Sequence, residues 1–87
     1  MNEEGYTGDE LSDKLLPAVE EQMNSPETPF VRKHYQRLLD DGETETESKK
    51  MIALCLLDEV EQMQSQNRSF NLKRYEQMLE FLPILPE

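Results

Sequence analysis

The sequence predicts an all-α fold: four helices, arranged as two tandem helical hairpins in a pseudo-twofold bundle. Three observations carry this. Apolar residues recur at spacings of three and four through most of the chain, and no segment alternates with period two long enough to make a strand. Short polar connections separate the periodic stretches, which favours antiparallel neighbours. The chain also matches itself without a gap when shifted by 40 positions, residues 16–39 falling on 56–79. Nine of those 24 positions are identical: Leu16/Leu56, Glu21/Glu61, Gln22/Gln62, Met23/Met63, Ser25/Ser65, Phe30/Phe70, Lys33/Lys73, Tyr35/Tyr75 and Leu39/Leu79.

Residues 1–10 hold acids, two glycines and no apolar period, and are expected to form a disordered acidic tail. Residues 11–87 then form one helical domain, with repeat one over about 12–41, repeat two over about 44–82 and an apolar tail over 83–87. The first helix is expected to start at the N-caps Ser12 or Asp13, with Pro17 at the end of its first turn. A start at Asp9 would instead put Pro17 inside the helix and kink it. Leu11, Leu15, Val19 and Met23, with Leu16 beside them, give its apolar stripe.

The stretch Asn24-Ser25-Pro26 ends the first helix. Thr28-Pro29 begins the second, as N-cap followed by proline at the first helical position. Val31, Tyr35, Leu38 and Leu39 form its face, and Gly42 stops it. Thr44 with Glu47 has the capping-box spacing that opens the third helix. Ile52, Cys55, Leu56, Val60 and Met63 make that helix's main stripe, and Met51, Leu54 and Leu57 add apolar surface on other faces. A helix apolar nearly all round is expected at the centre. After a polar loop over Gln64–Ser69, the fourth helix runs from about Phe70 to Leu82, with Leu72, Tyr75, Met78, Leu79 and Leu82 on its face. Pro83 ends it, and the apolar tail is expected to dock on the bundle as an extended cap.

Composition excludes several functions. Eighty-seven residues allow one domain with a small core. Nineteen acids against nine bases give a net charge of -10, which repels a nucleic acid or an anionic membrane surface as a direct ligand. The longest strictly apolar run, Met51–Leu57, is seven residues, whereas a membrane helix needs about 18. One cysteine rules out an internal disulfide framework, and the acidic start lacks the apolar core of a signal peptide. These features point to a cytoplasmic protein.

No constellation of residues suits catalysis, and no cofactor or metal site is expected. His34, the one histidine, has Val31 and Arg37 three residues away and no ligand spacing. Its repeat partner is Arg74, so a surface role is expected for it. Cys55 lies between Leu54 and Leu56, where a cysteine acts as a small apolar side chain. Glu20, Glu21, Asp58, Glu59 and Glu61 are read as a solvated face, since a di-metal bundle would need two Glu-x-x-His pairs. The repeated Glu21/Glu61 and Lys33/Lys73 are expected to bridge the two helices of each hairpin. With glycine only at 5, 8 and 42, no phosphate cradle forms.

The remaining feature is a basic stripe. Arg32, Lys33, His34 and Arg37 lie on the second helix, and Lys73 and Arg74 on the fourth, in an acidic surround. Such a dipolar surface steers charged partners. With Phe30 and Phe70 it makes the candidate partner-binding set. A plainer reading has the two phenylalanines pin the connecting loops to the core.

Several short stretches also bear a resemblance: Glu21-Gln22-Met23, Tyr35-x-x-Leu38-Leu39 before Gly42, Lys49-Lys50-Met51-Ile52-Ala53, and Phe70 and Tyr75 with Leu82-Pro83-x-Leu85-Pro86. Through them Glu20–Pro86 resembles small helical domains of bacterial proteins of unknown function. The resemblance implies a bacterial source and an accessory helical module, and it carries no catalytic residue. Together these readings point to a non-enzymatic protein–protein interaction or regulatory module, with an unidentified protein partner or a homodimer through leftover apolar surface. One alternative is an acidic mimic that occupies a nucleic-acid-binding protein. A second is a bundle that binds a metal or small ligand.

Overall fold

The computed structural model describes residues 8–86. Its elements are five helices: α1 (Gly8–Lys14), α2 (Leu16–Met23), α3 (Pro29–Asp40), α4 (Glu45–Gln66) and α5 (Leu72–Phe81). The described residues form no strand, as the missing period-two pattern implies.

The count is five rather than four because of Pro17. Gly8, the first described residue, is already helical, so Gly8–Glu10 belong to α1 rather than to a tail, and residues 1–7 lie outside the described residues. Ser12, the expected cap, is instead buried inside α1. Proline has no N–H to donate to the carbonyl four residues back, so the ladder breaks before it. Leu15 N–H bonds the Ser12 carbonyl at 2.9 Å, one residue short of α-helical spacing, and the ladder resumes with Val19 N–H on the Leu15 carbonyl at 3.0 Å. Two short helices replace one long one.

The other boundaries follow local chemistry. Thr28 precedes Pro29 at the start of α3, but its hydroxyl donates to the Gln22 carbonyl at 2.8 Å instead of capping its own helix, and so ties α3 to the end of α2. At the far end Gly42 has φ +102°, with its N–H on the Leu39 carbonyl and the Glu43 N–H on that of Leu38. This is a Schellman stop. Thr44 Oγ1 accepts from Glu47 N–H at 3.0 Å and opens α4. α4 runs into the expected polar loop as far as Gln66 and ends the same way, with Asn67 at φ 53° and Arg68 N–H on the Met63 carbonyl. Asn71 Oδ1 then accepts from Arg74 N–H and starts α5.

α4 is the central element and packs against each of the other four helices. Its buried side is Ser48, Met51, Ile52, Ala53, Cys55, Leu56 and Glu59. Val19 and Met23 of α2, Val31, Tyr35 and Leu38 of α3, and Tyr75, Leu79 and Leu82 at the C-terminal end complete the core. Tyr75 is fully buried, and its hydroxyl donates to Gln22 Oε1 at 2.6 Å. Phe30 and Phe70 each set a ring edge-on to it, at 5.8 and 5.7 Å between centroids. Edge-to-face pairs like these add about 0.5–1.5 kcal/mol beyond their buried area.

Gly42 gives a direct test of the α3 stop. A Cβ there would meet nothing within 4 Å, so only its φ of +102° opposes a side chain. Gly42→Ala is expected to lower stability by about 1–2 kcal/mol, read from the urea unfolding midpoint.

Candidate functional site

The arginines singled out in the sequence are bonded to other parts of the fold. Each of the four arginines serves the fold. Arg32 Nε donates to the Met23 carbonyl at 2.9 Å and its Nη2 to Asn24 Oδ1 at 3.1 Å, which closes the C-terminal end of α2. Arg37 donates to the Leu79 and Leu82 carbonyls, both at 3.0 Å, and closes the end of α5. Free carbonyls at a helix end attract cations in this way. Arg68 and Arg74 both turn toward Glu59.

Glu59 corrects the expectation of a solvated acidic face. It is fully buried, in the stripe between Leu56 and Met63. Oε1 accepts from Arg74 Nη1 at 2.9 Å and Arg68 Nη2 at 3.2 Å; Oε2 accepts from Arg68 Nη1 and from the Asn71 N–H, both at 2.6 Å. Arg74 Nη2 also reaches Asp58 at 2.6 Å. The Arg68 hydrogen bond, with those from Asn71 and Arg74, brings the Glu59 carboxyl down from 4.5 to about 2 despite burial. Such a group stays ionised at neutral pH and is poorly matched to proton transfer.

His34 also departs from expectation: it is buried, not on the surface. It follows Val31 by three positions and precedes Leu38 by four, which places it on the inner face of α3. Its Nδ1 accepts from Arg37 Nε at 3.2 Å. Burial, with Arg37 and Lys33 adding repulsion, holds the imidazole below its ordinary 6.5. Cys55 is buried as expected, and burial pushes its thiol up to about 12. A thiol of that kind is a poor nucleophile. Among the described residues, no group of three or more His, Cys, Asp or Glu is placed to hold a metal ion.

Of the basic stripe, Arg32 remains exposed, as do Lys33 and Lys73. Among the described residues the two lysines do not pair with Glu21 and Glu61. Lys49 takes the interhelical role instead, bonding Glu20 at 2.6 Å with its ammonium 5.8 Å from the centre of the Tyr35 ring. Phe30 and Phe70 are half-buried against Tyr75, in accord with the plainer reading.

The feature with the character of a binding surface lies at the C-terminal end. The tail does not dock as a full cap: Leu82 is buried, but Phe81, Ile84 and Leu85 are 67%, 71% and 41% exposed. The Ile84 N–H bonds the Phe81 carbonyl at 2.9 Å, which folds the tail over the end of α5. Two concavities flank it. One, of about 340 Å³, lies between the tail and Leu54, Leu57, Asp58 and Glu61 of α4. The other, of about 280 Å³, is lined by Met78, Phe81 and Ile84. Leu85 and Pro86 border both, so the apolar surface is continuous across the tail. Contiguous apolar surface of this kind marks interaction sites on monomeric proteins. The signal in the sequence was the unperiodic apolar run Phe81–Pro86 beside Leu54 and Leu57, which lie off the main stripe of α4. A third concavity, lined by Glu21, Gln22, Ser25, Glu27 and Thr28, is polar and open.

No helix among the described residues is long and apolar enough to cross a membrane. No protein-family model matches the chain, and no curated protein or solved structure is significantly similar to it.

Two tests follow from the buried groups. Glu59→Gln removes the charge that two guanidinium groups face and is expected to lower stability by about 2–4 kcal/mol. The folded pKa of Glu59 lies below the unfolded one, so its contribution is present above about 4.5 and is lost as pH falls toward about 2. Urea midpoints measured across that window should fall for the native chain and fall less steeply for Glu59→Gln. His34 also has a depressed folded pKa, so the unfolded chain takes up its proton first as pH drops below 6.5. The native chain should therefore lose stability between about pH 7.5 and 5.5, and His34→Gln should flatten that loss in the same titration.

Proposed function

We propose that this protein is a non-enzymatic protein–protein interaction module, and that it binds through the apolar surface formed by the tail, Leu54 and Leu57. The exposure of Phe81, Ile84 and Leu85 on one continuous patch carries this reading. It moves the contact surface away from the basic stripe, whose arginines bond to carbonyls and side chains of the fold. The shifted pKa values of Glu59 and Cys55 leave those groups without proton-transfer or nucleophilic chemistry near neutral pH, which favours a binding role over an enzymatic one.

The pairing of α2 and α3 with the second half of α4 and α5 is read as a tandem repeat of hairpins. The 40-residue self-match supports it, although the ring contacts, Phe30 and Phe70 both on Tyr75, do not themselves repeat. A bacterial, cytoplasmic setting fits the single buried cysteine and the resemblance over Glu20–Pro86.

The test uses the full chain as bait in host lysate, beside the double variant Phe81→Asp/Ile84→Asp. Both positions are exposed, so the variant should unfold at the same urea concentration. One stoichiometric protein held by the native chain and lost by the variant is the expected result. The same proteins on both baits, or none on either, would remove the reading.

A further inference from the structure

The groove between α4 and the tail has a chemical character that narrows its partner. We infer that it takes a cationic amphipathic helix of another protein, with apolar side chains in the groove and Lys or Arg flanking them. This rests on the interaction reading above and assigns it a partner class.

The groove wall comes from one helical row of α4: Leu54, Leu57, Asp58 and Glu61, at spacings of three, one and three. The row changes from apolar to acidic along its length: Asp58 is already paired with Arg74, and Glu61 is exposed to an occupant. Leu85 and Pro86 of the tail face it. An occupant must therefore bring apolar anchors to one end and a complementary charge to the other. An amphipathic helix meets this with anchors one turn apart.

Charge decides between occupants. The chain carries 19 acids and nine bases, and its four arginines donate to carbonyls and carboxylates of its own fold. Lys49 is paired with Glu20. Lys33 and Lys73 are exposed but do not line the groove, where Glu61 is exposed. A second copy would bring a further charge of -10 to an interface that repeats the same patch on both sides. A standard interface also takes about 800 Å² from each partner. That is roughly one seventh of the 5519 Å² surface here, and it would bring Asp58 and Glu61 of one patch toward those of the other. A cationic segment gains where a second copy loses. Apolar anchoring also separates this occupant from the phosphate-mimic alternative, whose binding would rest on charge alone.

The probe is a labelled Leu/Lys peptide of about 14 residues, four helical turns, with leucines on one face. It is titrated into the full chain by fluorescence anisotropy, at about 0.15 M and about 0.5 M salt. A Leu/Glu peptide of the same pattern is the comparison. Leu85→Asp and Glu61→Lys should each weaken Leu/Lys binding about tenfold. Glu27→Lys, the same charge change outside the groove, should weaken it less than about twofold. The Leu/Glu peptide should not bind, and Leu/Lys binding should weaken in high salt yet persist.

Equal weakening by Glu27→Lys, or complete loss in high salt, would reduce the effect to diffuse attraction and overturn the inference. So would unchanged binding by Leu85→Asp, or no binding of the Leu/Lys peptide at all. If the peptide fails while a lysate partner still depends on Phe81 and Ile84, the partner class is wrong and the interaction reading stands. If the chain sediments as a dimer that Leu85→Asp dissociates, a second copy covers the patch and the cationic partner is excluded.

Discussion

The bundle depends on one buried carboxylate. Glu59 sits on the inner side of the central helix, where an unpaired charge would cost several kcal/mol. Arg68, Arg74 and the Asn71 N–H fill its lone pairs. The three donors come from the connection after α4 and from the start of α5, so satisfying the charge fixes how α5 returns along α4. That return places Tyr75 between Phe30 and Phe70, within reach of Gln22 on α2. α2 and α5 are thereby joined through a charge, a ring and an amide.

The other arginines extend the same logic. Arg32 and Arg37 close the C-terminal ends of α2 and α5, where carbonyls would otherwise lack donors. A guanidinium suits this work because its planar set of donors reaches two acceptors at once. The consequence reaches the surface. The composition leaves the outside acidic, and the tail that Arg37 anchors by the Leu82 carbonyl carries Ile84 and Leu85 out into solvent. Internal satisfaction of polar groups and the makeup of the exposed face are thus one arrangement.

Much of this was legible residue by residue. Gly42, Pro29, and Thr44 with Glu47 marked helix ends correctly because a stop or a cap depends on neighbours a few residues away. The central place of α4 followed from apolar side chains on more than one face. Pro17 showed both of its outcomes in advance, and helix already present ahead of Ser12 selected the break. Glu59 and His34 were misread although each stands at helical spacing from buried neighbours, Leu56 for the one and Val31 for the other. Their polarity argued for solvent, and the partners that make burial tolerable are not visible in a helix taken alone. The candidate site fared similarly: its apolar run was plain, but whether it docked was not.

By itself the sequence determined that the chain is helical, where the stop at Gly42 and the cap at Thr44 fall, which faces are apolar, and that the chain carries a large negative charge. Those properties arise from backbone sterics, capping and composition, all local or additive. Only the tertiary structure decided which charged side chains turn inward and which apolar ones stay outside. Burial of a charge depends on donors brought together across the fold, and a tail docks only if the core has room to receive it. Here the packing of α4 against α5 took Leu82, and left Phe81, Ile84 and Leu85 exposed.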